Sequence, residues 1–528
     1  MISAVEYRQK FAALEVENLQ LKSQLEQSIL RNEELAAQVR WFQNQLFGRK
    51  SERRIIEPPG QQLHLGEQFI AETAGEETRT VKEHQRKKAQ TLSTDGDDQK
   101  LFFDESVPVE EIKVANPAAE GLGENDYEII GQKTSYRLAQ RPSAYFIIKY
   151  VRDVIKIKSA DQDAPQIACP AAPDAVFEKS HADVSFLAGL LIDKFQYHLP
   201  LYRQHQRLQS AGIQVSRPWL TQLVHRCGDL LEPIHDAQLE AIRAQRVKLM
   251  DETPIKAGRE KKGKMRNAYF WPVLGGDEIA FIYCNSREHH HVFDILGAKP
   301  GDGSVIVSDG YGAYREYAKA TGTLNAQCWT HSRREFVEAE ELEPEKSKAA
   351  LDLIRPLYGI EKEIEKQGLK GEAKRRYRVE QSKPVVEEFF DWVSRQMQER
   401  SLLPTNRLTK ALAYVQKRQS ALELFLEDPE IPLDTNELER ALRVIPLGRK
   451  NWLFAWTEVG AKYVGIFQSL IVTCKMHGVD PYTYLVDVLQ RVGAHPRKEI
   501  AQLTPKNWKQ HFRSNPVSSP VDLLPKNQ

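Results

Sequence analysis

Arg246-Val-Lys-Leu-Met-Asp251 and Ser304-Val-Ile-Val-Ser-Asp309-Gly310 are two short apolar stretches that each end on an aspartate. Short aliphatic runs bounded by polar or turn residues read as buried strands. Between them, Asn267–Gly276 and Ile279–Asn285 read as two further strands joined by a Gly-Gly-Asp turn. The loop from Arg259 to Arg266 holds five basic residues and one Glu. Residues 287–297 and Tyr311–Ala320 read as helices, Leu324–Trp329 as a fifth strand, and Arg333–Glu340 as the helix after it.

Three hairpin-linked strands followed by two strands alternating with helices predict a mixed sheet with helices on both faces. That is the order of an RNase H-like fold, in which the first and fourth strands are neighbours. Asp251 and Asp309 would then meet at one edge. Residues 341–430 are helical and charged, an insertion into the sheet domain. Pro432-Leu-Asp-Thr-Asn-Glu-Leu-Glu-Arg440 follows, with Asp434 expected as N-cap, Glu437 closing a capping box, and Glu439 in the second turn. Hard carboxylate oxygens suit Mg²⁺, and two ions stabilise the entering and leaving oxygens of an in-line displacement. Singly, each acid also has an ordinary reading: Asp309-Gly310 as a turn, Glu439 as a surface helix residue.

Outward from this core, residues 1–47 lack Gly and Pro, and with Phe11 at a and Leu14 at d most seam positions are apolar over five heptads. Such a repeat predicts a coiled-coil dimerisation helix, the alternative being a helix packed on its own domain. Residues 48–100 read as a basic, polar linker that includes Arg49 and Lys50. Residues 101–180 form a small β-containing subdomain. In 181–245, Leu201–Ala211 and a second helix capped by Ser216, with Arg217 and Pro218 in its first turn, form either a helix-turn-helix-like DNA-binding region or an ordinary helical hairpin. The sheet domain, the candidate catalytic one, spans 246–457, and 458–528 is a helical C-terminal domain. The fold class is therefore α/β multidomain.

The 528 residues suggest several units. Lys+Arg is 74 and Asp+Glu 73, so the net charge of +1 casts no vote for nucleic acid and only local basic patches can do so. Five scattered cysteines suggest no disulfide framework. No long apolar run or signal core is visible, which predicts a cytoplasmic, nucleoid-associated protein without a membrane span.

The same residues resemble the insertion-sequence-66 family of transposases over nearly the whole length. Leu46-Phe-Gly-Arg-Lys-Ser-Glu-Arg53 is similar to its N-terminal segment, and Lys194-Phe-Gln-Tyr-His-Leu-Pro-Leu-Tyr-Arg-Gln204 to the stretch just after its zinc-binding region. Asp251-Glu-Thr-Pro254, Ser308-Asp-Gly-Tyr-Gly-Ala-Tyr314 and Asp434-Thr-Asn-Glu-Leu-Glu-Arg440 resemble its three catalytic motifs. Gly448-Arg-Lys-Asn-Trp-Leu-Phe454, Ser469-Leu-Ile-Val-Thr-Cys-Lys475 and Gly478-Val-Asp-Pro-Tyr482 extend the likeness. The resemblance implies a DDE-type bacterial transposase that binds terminal inverted repeats and catalyses DNA cleavage and strand transfer. Its acids would be Asp251, Asp309 and Glu439, holding two Mg²⁺ (or Mn²⁺) ions per site; in the family pattern the Glu directly precedes Arg, which selects Glu439 over Glu437. Its partners would be transposon-end and target DNA, a second copy or higher oligomer, and small accessory proteins of the element. The alternative is a transposase-derived DNA-binding protein that is inactive or acts only as a nuclease.

One departure concerns zinc. The family carries a cysteine-rich segment where 101–168 holds no Cys and no His, so zinc, which needs four such ligands, is not expected. Cys328-Trp-Thr-His331 matches a family motif, and His331 is expected beside the site in a packing or hydrogen-bonding role. His289, His290 and His291 are consecutive and are not expected to share one ion. Arg440, Arg443, Arg449, Lys450 and Trp452 are expected to contact DNA, as are Arg49, Lys50 and Arg217.

Overall fold

The computed structural model describes residues 101–123, 126–141, 144–157, 166–399 and 403–523. The expected dimerisation helix and basic linker, with Arg49 and Lys50, lie outside the described residues. The rest falls into two compact units. One holds 101–334, 352–390 and 415–523; the other holds 335–351 and the described part of 391–414. Within the second unit the rings of Phe336 and Trp392 meet edge-on at 6.2 Å, and Asn406 Nδ2 donates to Glu343 at 2.8 Å.

The described strands are β1 (Phe102–Phe103), β2 (Val109–Val114), β3 (Tyr127–Arg141), β4 (Ala144–Ile157), β5 (Gln166–Ala168), β6 (Ile213–Gln214), β7 (Val247–Met250), β8 (Thr253–Lys261), β9 (Lys264–Gly275), β10 (Glu278–Cys284), β11 (Val305–Ser308) and β12 (Leu324–Gln327). They form three sheets, and the protein is a mixed α/β chain. β2, β4 and β3 lie side by side with β5 on β4. Ala139, Phe146, Ile148 and Tyr150 fill the core of that sheet, while Arg137 and Arg141 lie over the rings of Tyr150 and Phe146 at 5.0 and 4.8 Å.

The largest sheet runs β10-β9-β7-β11-β12, with β8 also paired to β9. β7, β9 and β10 are antiparallel; β7, β11 and β12 are parallel. Each of the five strands expected here forms, with ends shifted by a few residues. β8 is the addition. The basic stretch Arg259–Arg266, expected as a loop, is the tip of a β8–β9 hairpin turning at Lys262-Gly263. Thr253, Ile255 and Ala257 alternate inward on β8, so the period of two is present but ends in charges that hang in solvent.

β10 is an edge strand, and edges left bare invite pairing. Here the helix Glu458–Met476 covers it. Ser469 Oγ accepts from Phe281 N at 2.8 Å and Thr473 Oγ1 from Ile279 N at 3.3 Å, while Gln238 Nε2 donates to Ile279 O at 2.6 Å. Side chains thus satisfy backbone groups that a seventh strand would otherwise take. Gly465 allows the approach, since a Cβ there would stand 2.3 Å from Phe281 O.

The two-helix segment differs from two short helices around a turn. Leu201–Ser210 is followed by β6, which pairs with β1, and then by a helix of 27 residues, Arg217–Arg243. Ser216 caps it by accepting from Trp219 N, as expected. It runs on because Leu220, Leu223, Val224, Cys227, Leu231 and Ile234 recur at helical spacing and are all buried. The described part of residues 341–430 holds helices and the links between them and no strand, and no described helix is long and apolar enough to cross a membrane.

Candidate active site

β7 and β11 run parallel with Val247 opposite Val305 and Leu249 opposite Val307. Continuing that register by two residues brings Asp251 level with Asp309, both just past a strand end. The carboxylates of Asp251, Asp309 and Glu252 have ligand oxygens within 4.8 Å of one another. Glu252 was not expected. Neighbours on a strand point to opposite faces, but β7 ends at Met250, so residues 251 and 252 lie in the link to β8 and their carboxylates converge. Glu252 has a side chain only 2% exposed and is engaged at both oxygens: Arg287 pairs with Oε1, and Tyr314 Oη donates to Oε2 at 2.7 Å. Burial raises the Glu252 acid above its usual range, against the pull of Tyr314 and Arg287. Asp251 is pushed up to about 7, chiefly by burial, with the charges of Glu252, Asp309 and Glu439 adding to it and a 2.7 Å bond from Glu252 N opposing it. Asp309 also serves its turn: Oδ1 accepts from Tyr311 N at 2.8 Å. Gly310, at φ +89°, keeps this bend tight, because a Cβ would stand 2.5 Å from Arg418 Nε and from Gln327 Oε1.

Glu439 is not in that trio. It stands on the helix Asn436–Leu442, in the first turn rather than the second. The capping residue is Thr435, one place later than expected, with no side-chain cap bond; Asp434 Oδ1 accepts from Asn436 N at 2.9 Å instead. The capping box with Glu437 therefore does not form, since the hydrogen bond closes a turn of two residues instead of the reach to N3. Glu439 lies within electrostatic reach of Asp251. Its Oε2 accepts from Arg334 at 3.2 Å, while its Oε1 is buried with no hydrogen-bond partner and lies 3.8 Å from His331 Nε2.

Cys328-Trp-Thr-His331 explains how that helix is held. Cys328 Sγ accepts from Thr435 N and Oγ1, both at 3.3 Å. Trp329 N and Nε1 donate to Leu433 O and Leu422 O. Thr330 Oγ1 donates to Asp434 Oδ2 at 3.2 Å. Four consecutive residues leaving β12 thus grip the segment carrying Glu439, and His331 faces its carboxylate. Burial lowers the basicity of His331, opposed by the charges of Glu439 and Asp309.

A profile described as "Transposase IS66 family" matches residues 179–463, more than half of the chain. The chain belongs to the IS66 transposase family. Two shorter profiles, "IS66 C-terminal element" and "Transposase C of IS166 homeodomain", match residues 469–506 and 34–112. Among its relatives are three uncharacterized proteins of Sinorhizobium fredii. y4hP is 29% identical over 409 residues, covering 72% of this chain and 71% of its own length. y4jD is 29% identical over 406 residues (72% and 76%), and y4qI 30% over 401 (72% of each).

In the transposase, Arg440, Arg443 and Lys450 are exposed beyond Glu439, whereas Arg449 is half-buried and donates to Pro254 O on β8. Trp452 is half-buried and folds back over Gly448, whose added Cβ would meet its Nε1 at 2.6 Å. Arg217 is exposed at the start of its long helix. Of the three histidines, His290 and His291 do converge, with Asp294, to within 4.8 Å. The helix begins at His290, so Asp294 returns three and four residues later to the same side, while His289 turns to Glu316 at 3.7 Å.

Proposed function

We propose that this transposase cuts and joins DNA at the edge formed by Asp251, Asp309 and Glu439 on an RNase H-like sheet, acting on the terminal inverted repeats of its element. The observation that carries this reading is the convergence of the Asp251 and Asp309 carboxylates, with Glu252, within 4.8 Å at the ends of two parallel strands. Carboxylates so close repel one another, and burial resists their ionisation; a divalent cation answers both costs. The donor set fits Mg²⁺ or Mn²⁺, being all hard oxygen. Asp251 and Asp309 would hold it, with Glu439 Oε1, which accepts no hydrogen bond, as third ligand. Two such ions supply activation of the attacking oxygen and charge stabilisation of the leaving one.

Glu252 is the poorer ligand because both its oxygens are engaged. It acts by fixing Arg287 and Tyr314 around the acids. His331 and Arg334 hold the Glu439 carboxylate, and Cys328, Trp329 and Thr330 hold its helix. Arg440, Arg443 and Lys450 offer phosphate contacts beside the acids. Residues 1–47 supply pairing of two copies, which joining two ends requires, and 181–245 supply DNA binding.

The test is a cleavage and strand-transfer assay with Mg²⁺ on DNA bearing the element's ends. Asp251→Ala is expected to abolish cutting while retaining DNA binding. Cutting at the wild-type rate would remove Asp251 from the chemistry; cutting without joining by the wild type would reduce the protein to a nuclease.

A further inference from the structure

A concave site lies in the same compact unit as the acids. It is a groove of about 550 Å³, within the usual range of ligand pockets, between residues 194–225 and the segment 451–464. Its walls are mainly apolar and aromatic, with Tyr202, Trp456 and Tyr463 among them, and three basic residues, Lys194, Arg217 and His225, also face it.

Two observations mark it as a binding site. The first is the presentation of Trp456. It is 65% exposed and Leu453 67% exposed, yet the strap that carries them is rigidly tied. Leu453 has φ +63°, a strained value for a branched residue that persists only where its surroundings impose it. Leu453 N donates to Arg449 O, Ala455 N to Lys256 O at 2.9 Å, and Gly258 N to Ala455 O at 3.1 Å. The strap is thereby bonded to β8, the strand that begins two residues after Asp251. Phe454 braces Trp456 edge-on at 5.1 Å, and the Arg259 guanidinium lies 6.0 Å from the Trp456 ring. Large apolar side chains held out to solvent on fixed backbone mark an interaction site. The second observation is Lys194. Among the described residues no carboxylate lies within ion-pair distance of it, and burial pulls its ammonium down to about 8. Lys194, half-buried with its Nζ 5.3 Å from the Phe195 ring, and exposed Arg217 line the same aromatic groove, and these two cations suit an anion.

We propose that this groove takes unpaired nucleotides of a DNA strand leading to the acidic edge, a base stacking on Trp456 and the backbone phosphate meeting Lys194 and Arg217. Stacking on aromatic faces combined with a basic track is the chemistry of single-stranded nucleic acid recognition, and it is tolerant of sequence. A duplex keeps its bases inside and offers nothing to an aromatic wall of this kind. The proposal rests on the reading above only for the substrate's being DNA.

The test is equilibrium binding of the full chain in EDTA, so that no cutting occurs, to fluorescent oligo-dT, to an abasic strand of equal length, and to a duplex lacking the element's ends. The wild type should bind oligo-dT more tightly than the abasic strand. Trp456→Ala should weaken oligo-dT roughly tenfold, the scale of one lost stack, and leave the abasic strand and the duplex within about twofold. Trp456→Phe should restore most of the loss, which separates stacking from misfolding. Lys194→Met should weaken both single strands and flatten the salt dependence of each. Equal binding of oligo-dT by wild type and Trp456→Ala would overturn the proposal and point to a peptide occupant. Parallel losses for single strand and duplex would make the groove a general electrostatic surface. Neither result bears on Asp251, whose role is read by cutting.

Discussion

Asp251 is an acid whose surroundings resist its charge, and this has a thermodynamic signature. Its folded-state pKa, about 7, lies above the ordinary 3.8. Between these values the folded protein binds the proton more firmly than the unfolded chain, so this group's contribution to stability is present at low pH and is lost as pH rises from about 4 to about 7. Asp251→Asn cannot ionise. In EDTA its melting temperature should therefore fall less than the wild type's between pH 4 and 7, and parallel curves would contradict the burial of this carboxylate. Added Mg²⁺ should raise the wild-type Tm, more at pH 8 than at pH 6, because its ligands must be deprotonated. The identity of the third ligand is decided by a comparison of two glutamates. Glu252→Gln disturbs a positioning residue and should slow cutting about 10–100-fold. Glu439→Gln removes a ligand and should slow it further. The reverse order, read as single-turnover rates at saturating Mg²⁺, would move the third ligand to Glu252.

Among the elements, the helix Glu458–Met476 is the one on which the sheet's integrity depends. Ser469→Ala would leave the Phe281 amide buried without its acceptor, a cost of about 1–3 kcal/mol. Gly465→Ala would drive a methyl into the Phe281 carbonyl and should cost a further ~1–3 kcal/mol by overpacking. Chemical denaturation measures both, and a neutral Gly465→Ala would mean that the helix can ride away from β10 freely. The sequence marks 458–528 as helical, but the reason for Ser469 and Thr473 is not legible there, since it lies in an edge strand nearly two hundred residues earlier. The five sheet strands were legible because each is a short, mainly apolar run bounded by polar or turn residues. β8 was hidden by the charges after Ala257, and β3 by a first half, Glu128–Thr134, in which seven consecutive residues are exposed and no period of two is visible. Asp251 and Asp309 could be paired from strand order alone. Glu252 could not, because its usefulness depends on where β7 stops. Cys328-Trp-Thr-His331 could be flagged as a motif, yet its work, gripping the Glu439 helix across about a hundred residues, is a tertiary fact that no local pattern encodes.

For the molecule as a whole, a net charge of +1 means that no overall field draws DNA in. Attraction must come from places where cations are left without acids. The β8–β9 hairpin tip is such a place, though only in part. Lys264 is paired with Glu260 at 3.0 Å and Arg266 with Glu458 at 2.6 Å. Lys261 and Lys262, both exposed, have no carboxylate partner among the described residues. Phosphate contacts release condensed counterions, so each contributes about 0.9 to the slope of log affinity against log salt on duplex DNA. If both lysines meet phosphate, Lys261→Ser/Lys262→Ser should reduce the magnitude of that slope by about 2 and leave the melting temperature unchanged, since neither side chain packs in the core. An unchanged slope would mean that the hairpin points away from bound DNA. The exposed cations Arg440, Arg443 and Lys450, beside the acids, would then have to account for the duplex contact, and neutralising those three should produce the fall in slope that the hairpin did not.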